Sequence, residues 1–180
     1  MSISVKLDDL EEGLPTLTSR NGSQLAEIAL YCLRRKSHDS GVITCVADGT
    51  ETECQIDWEL TLDERSLGSY GDPDEATEYG ATAIAILYSL KLTGQKTVQR
   101  SAKGDGFDYW VGDYRNSDDP PFQHFARLEI SGLMNADKAK VKKRYREKRQ
   151  QISVSDHMMI PRIVFVMEFS VPMTAVEYIR

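Results

Sequence analysis

The chain has 180 residues, 41% of them hydrophobic, and a net charge of −6. That length fits one domain, and that apolar share is enough for a core. No run reaches the roughly 18 apolar residues of a membrane span, and the bulk acidity argues against a protein that coats nucleic acid with its whole surface.

The first residues, Met1-Ser2-Ile3-Ser4-Val5-Lys6, lack the basic start and apolar stretch of a secretory leader. Residues 1–20 are acidic, then polar, with Pro15 among them, and read either as a loose arm or as an early strand. Residues 22–36 carry Leu25, Ile28, Ala29, Cys32 and Leu33 at helical spacing, with Arg34, Arg35 and Lys36 at the C-terminal end. Val42-Ile43-Thr44-Cys45-Val46 reads as a strand. Asp48-Gly49 is a hairpin turn leading into a partner strand over 53–62, with Cys54, Ile56, Trp58, Leu60 and Leu62 on one face. Cys32, Cys45 and Cys54 are an odd count without metal-ligand spacing, which predicts reduced, buried thiols in a cytoplasmic protein.

Asp72-Pro73-Asp74-Glu75 combines an N-cap, a proline at the first helical position and a capping-box glutamate. The helix it opens, over 76–92, is rich in Ala, Ile and Leu and closes at Gly94, so it is expected to lie buried against a sheet. Strands are predicted over 96–100, 107–112 and 124–131, with a polar connection over 113–121. A basic helix starts at Asn135 or Asp137 and runs to about residue 151, and a final strand over 162–169 has the apolar make-up of a central strand. The fold class is therefore α/β (α+β): a central mixed sheet with an αβββαβ core over 71–180, preceded by a helix and β-hairpin extension over 1–70. An alternative use of residues 164–178 is a terminal strand that pairs across subunits of a homo-oligomer.

Charge is unevenly spread. Residues 137–151 hold eight Lys or Arg against Asp137 and Glu147, a local +6, which leaves −12 for the remainder. Such a helix is either an ordinary solvated face or a surface for nucleic acid or an acidic partner. Trp58, Tyr109 and Trp110 read as core residues, although Trp110 shares a strand face with Asp108. Lys103-Gly104-Asp105-Gly106 reads as a tight turn between strands, since no Gly-Lys-Ser/Thr signature follows.

Two predicted strands each carry one acid among hydrophobic neighbours, Asp108 and Glu129. A carboxylate inside a strand is costly unless something pairs with it or binds to it. Asp108 and Trp110 share one face, with Phe107, Tyr109 and Val111 on the other, while Arg127, Glu129 and Ser131 share a face of the next strand. Two outcomes follow: the acids converge on a divalent cation, Mg²⁺ or Mn²⁺, or they pair with Arg127, Arg144 or Lys148 in a structural network. On the basic helix Val141, Tyr145, Lys148 and Ile152 fall in one stripe, so Lys148 sits amid an apolar face, with Arg144 and Gln151 at its edge. His38, His124 and His157 are scattered. No His-x-x-x-His, Cys-x-x-Cys, Gly-x-Ser-x-Gly or Gly-x-Gly-x-x-Gly pattern is present, which disfavours zinc, serine-nucleophile and dinucleotide chemistry.

The helix, three strands, helix, strand order, with Asp108 on the second strand and Glu129 on the third, resembles the PD-(D/E)XK nuclease superfamily over residues 72–170. The resemblance implies a metal held by Asp108 and Glu129, assisted by a first-helix glutamate, Glu75 or Glu78, of which Glu78 is the choice here. It also implies a lysine two residues after the glutamate, but Ser131 stands there. Some members carry that lysine on the following helix, which points to Lys148. Arg144, Gln151, Lys103 and Lys142 are then candidates for nucleic-acid contact. The implied function is a nuclease acting on DNA or RNA within a larger bacterial defence or DNA-processing assembly, partnered by an ATPase or helicase. The competing reading is a catalytically inactive subunit or adaptor that keeps the fold and has lost the lysine.

Overall fold

A computed structural model describes residues 2–39, 41–49, 53–113 and 122–179. The expected α+β class is observed. Strands β1 (Ser2–Lys6), β2 (Val42–Ile43), β3 (Cys45–Gly49), β4 (Glu53–Asp57), β5 (Thr97–Arg100), β6 (Tyr109–Asp113), β7 (Gln123–Leu133), β8 (Arg162–Glu168) and β9 (Met173–Ile179) form two sheets. Helices are α1 (Ser19–Arg34), α2 (Glu64–Ser69), α3 (Pro73–Thr93) and α4 (Lys138–Ser153). The larger sheet has the order β3-β9-β8-β7-β6-β5 and the smaller β1-β4-β2. In the larger sheet β7 and β8 are parallel, as are β3 and β9, and the other neighbours are antiparallel. Of the polar connection expected over 113–121, Asp113 ends β6 and the rest lies outside the described residues.

Helix α3 begins where its signals place it: Asp72 accepts from the N–H groups of Asp74 and Glu75, and Pro73 occupies the first turn. Its middle, Ala81 to Ser89, is buried residue after residue. A helix apolar on every side must be enclosed on every side; α3 lies between β7 and β8 of the larger sheet and a layer formed by α1 and β1. Helix α4 packs on the opposite face of the sheet, over β8, β7, β9 and β3, through Val141, Tyr145 and Ile152. Asp137 is its N-cap, accepting from Lys140 N–H at 2.8 Å, which settles where the basic helix starts.

Of the two readings of residues 1–20, the early strand is the one observed: residues 2–6 pair parallel with β4. The rest of the N-terminal region differs from expectation in three ways. Helix α1 starts at Ser19 because Thr18 caps it ahead of the first apolar repeat. The predicted strand around Val42–Ile43 divides at Thr44. Its N–H donates to Cys54 O, its Oγ1 accepts from Cys54 N–H at 3.1 Å, and that oxygen shares a 2.9 Å hydrogen bond with Thr174 Oγ1. Thr44 thereby joins the small sheet to β9. On one side β2 pairs antiparallel with β4; on the other, β3 leaves to pair with β9, so Asp48 and Gly49 lie in a strand opposite Ala175 and Val176 and make no hairpin turn. The strand expected over 53–62 ends at Asp57, since Glu59 N–H turns to the Asp8 carboxylate at 3.0 Å.

Much of the edge considered for cross-subunit pairing over 164–178 is already taken within the chain: β8 lies between β7 and β9, and β3 pairs with β9 over Met173–Val176. Cys32 and Cys54 are buried free thiols, with burial pushing each pKa up to about 12; the side chain of Cys45 lies outside the described residues. Among the described residues no helix is long and apolar enough to cross a membrane.

Candidate active site

The site arises from unequal strand lengths. The β6–β7 ladder ends at the pair Tyr109–Leu128, whereas β7 continues to Leu133, paired on its other side with β8 out to Glu168. Beyond Leu128 the β6-side edge of β7 has no strand to satisfy it. Peptide groups alternate in direction along a strand, so the N–H groups of Ile130 and Gly132 point into that gap, and buried backbone donors need acceptors. Two carboxylates supply them. Asp108 Oδ2 accepts from Ile130 N–H at 2.9 Å, and Glu78 Oε2 accepts from Gly132 N–H at 3.3 Å, with Glu78 Oε1 accepting from Ser131 Oγ at 3.3 Å.

Asp108 precedes β6 and stands, by continuation of the register, opposite Glu129. Its own N–H donates to Leu128 O. Glu78 comes from the first turns of α3, brought close by Gly132. A Cβ there would fall 2.0 Å from the Thr77 carbonyl oxygen, so any side chain would push α3 off the strand. Glu75, the other first-helix candidate, stays one turn earlier and lines a separate cleft with Tyr70, Asp72 and Tyr79.

Glu129 lies between these two and points to the α4 face, where it is 0% exposed. Lys148 Nζ donates to its Oε1 at 2.6 Å and to Gln151 Oε1 at 3.4 Å. Glu129 Oε2 is buried and has no hydrogen-bond partner among the described residues. Burial pushes the Glu129 pKa up to about 7; the negative charge of Asp108 adds to the rise, the Lys148 hydrogen bond and charge oppose it, and Glu78 raises it further. The three carboxylates and one amine thus form one electrostatic unit. Asp108 is partly open, and its Oδ1 lies 3.8 Å from the Arg100 guanidinium.

The structural network foreseen with Arg127 or Arg144 takes another form. Arg127, 2% exposed, donates to Ile160 O, Ile152 O, Ser155 Oγ and Asp156 Oδ1, tying down the segment after α4, and meets neither acid. Arg144 pairs with Glu147 at 3.6 Å. Lys103 and Gln151 do converge: they line an open cleft with Arg100, Ser101, Gly106 and Asp108. Lys142 lies six residues before Lys148 on α4, about 240° around the helix, and points away from the cleft.

Arg100 and Gly132 are residues that sequence reasoning left out, and Ser131 entered it only as a face-mate of Glu129 standing in the place of the motif lysine. Only the glycine at the end of an apolar strand gave a signal, since such a position often marks a close backbone approach.

Among the described residues no group of three or more His, Cys, Asp and Glu side chains is gathered closely enough to cage a metal unaided. The donor set still fits a cation that takes one or two carboxylates and keeps its own waters. It offers hard oxygens, one of them buried and unpartnered. No family model, curated protein or solved structure matches this chain.

Proposed function

We propose that the protein is a metal-dependent phosphodiesterase of the nuclease type, acting on DNA or RNA. The observation that carries this reading is the unpartnered Glu129 Oε2, buried beside an ammonium group 2.6 Å from its sister oxygen and between two further carboxylates. Leaving such an oxygen unsatisfied costs about 1–3 kcal/mol, a cost that a ligand in the site would remove. A Mg²⁺ or Mn²⁺ held by Asp108 and Glu129, with Glu78 alongside, would supply Lewis acidity toward a phosphate oxygen and a bound water of lowered pKa.

The side chains have separable tasks. Lys148 holds Glu129 toward its ionised form and presents a positive charge where negative charge builds on the phosphate. Glu129 would serve as a ligand, offering its buried Oε2 to the cation while Oε1 stays on Lys148. Lys103 and Gln151 flank the cleft beside Asp108 and suit the binding of a phosphate on its way in. Arg144 and Lys142 contribute to the positive field of α4. With −12 carried by the rest of the chain, delivery of the substrate by a partner, of the ATPase or helicase kind, suits the charge balance.

The alternative reading, a catalytically silent adaptor, draws on the absence of a three-ligand cage among the described residues and on the engagement of the Lys148 amine by Glu129. One experiment separates them. Single-stranded DNA, duplex DNA and RNA are incubated with the protein and Mn²⁺ or Mg²⁺, alongside Glu129→Gln. A nuclease cleaves at least one of them, loses cleavage in E129Q, and gains thermal stability from Mn²⁺ that the variant does not gain. No cleavage of any substrate, together with no metal-induced rise in Tm, leaves the adaptor reading standing.

A further inference from the structure

Helix α4 covers only part of its face of the sheet. It lies over β8, β7, β9 and β3 and leaves the β6–β5 side without a helix among the described residues. There the chain places a row of aromatic rings. Phe107, beside Asp108, meets Trp110 edge-on with centroids 4.6 Å apart. Trp110 stacks on His124, 4.0 Å apart and 20° from parallel, and His124 contacts Phe122 at 5.2 Å. Phe107 turns to this face because it precedes the ladder, which starts at Tyr109; strand alternation had placed it on the opposite face.

The backbone is shaped to make this row. A register shift between Val111 and Gly112 sets Gly112 opposite His124, bringing the imidazole over Trp110. Gly112 is bare because a Cβ there would fall 2.0 Å from the Gln123 carbonyl oxygen and 2.8 Å from a ring carbon of Phe122. Trp110 is half-buried and His124 exposed, so the row runs from the interior to solvent.

From this row, its contact with the carboxylate site through Phe107 and Asp108, and the local +6 of α4 on the same face, we propose that the sheet face at Trp110 and His124 is a stacking platform for the bases of an unpaired nucleic-acid strand. The assignment rests on the nuclease reading for its direction toward Asp108 and Glu129, and it names the substrate class as single-stranded. Every base has a π-face, so such platforms are tolerant of sequence. A duplex keeps its bases stacked inside and offers none to these rings. A cationic helix alongside suits a phosphate backbone better than an apolar protein partner. Burial holds the His124 pKa below the ordinary imidazole value, so the outer ring is uncharged at neutral pH.

The test is binding in EDTA, where cleavage plays no part. Oligothymidylate, oligouridylate, an abasic strand of equal length and a duplex are titrated into the protein. Emission is read in a Trp58→Phe background, which leaves Trp110 as the fluorophore. Base-containing strands are expected to bind roughly tenfold or more tightly than the abasic strand and to quench Trp110, the DNA and RNA arms identifying the natural strand. Because His124 is exposed, His124→Ala should fold; it should remove most of the preference and leave abasic affinity unchanged, and Trp110→Leu, read by the anisotropy of a dye-labelled strand, should do the same. Equal affinity for abasic and base-containing strands, a preference that survives H124A, or a duplex bound as tightly as a single strand would each overturn the platform. Binding of no strand at all would overturn it too and leave the row as a seat for protein. Base preference without metal-dependent cleavage would sink the nuclease reading alone, and cleavage without base preference would sink the platform alone.

Discussion

Replacing Glu129 with glutamine should change how stability depends on pH. The wild-type carboxyl has its pKa near 7 in the folded chain, against 4.5 for an ordinary glutamate. Between those values the folded state holds a proton that the unfolded state has released. Stability therefore falls as pH rises through that window, and the whole contribution is lost above pH 7. At about 1.4 kcal/mol per tenfold change in proton affinity, the loss is about 3 kcal/mol. The amide of the Glu129→Gln variant does not titrate and still offers an oxygen to Lys148, so the variant lacks this loss. Urea unfolding followed by tryptophan fluorescence in EDTA, from pH 4.5 to 8, should show E129Q gaining about 3 kcal/mol on wild type across the range, with the two profiles parallel above it. Profiles parallel throughout would mean that Glu129 ionises like an exposed glutamate, and the enclosed carboxylate site would then be refuted.

Three further substitutions probe the same architecture. Lys148→Met removes the amine that donates to Glu129 and should cut metal-dependent cleavage at least ~100-fold while leaving the far-UV circular dichroism intact. Gly132→Ala forces a methyl against the Thr77 carbonyl; it should cost about 1–3 kcal/mol in urea denaturation and reduce cleavage further by withdrawing Glu78. Arg127→Met strips the segment after α4 of its buried tether and should lower stability by about 3–5 kcal/mol, while Mn²⁺ still raises the Tm because Glu129 and Lys148 do not touch Arg127.

Part of the candidate site was legible because its determinants are local. Strand alternation put Glu129 and Arg127 on one face, and the 100° step of a helix put Lys148 in the stripe of Val141, Tyr145 and Ile152. Both placements hold because backbone geometry fixes side-chain direction within an element. Phe107 broke the pattern, since alternation stops where the ladder stops. The partners of Arg127 and Arg144 were not legible, because ion pairing depends on which elements meet in space.

The amino-acid order alone determined most elements of the 71–180 core, among them the Asp72-Pro73 start of α3, the unbroken apolar character that encloses that helix, and the apolar strand at 162–168, but not β9 at Met173–Ile179. Capping and hydrophobic patterning act over a few residues, so they can be read without knowing the fold. Only the tertiary structure decided that Thr44 divides one predicted strand between two sheets, that β7 outruns β6, and that the bare N–H groups of Ile130 and Gly132 gather Asp108 and Glu78 around Glu129. Those outcomes depend on strand register and on how closely backbones approach, quantities set by contacts between residues far apart in the chain.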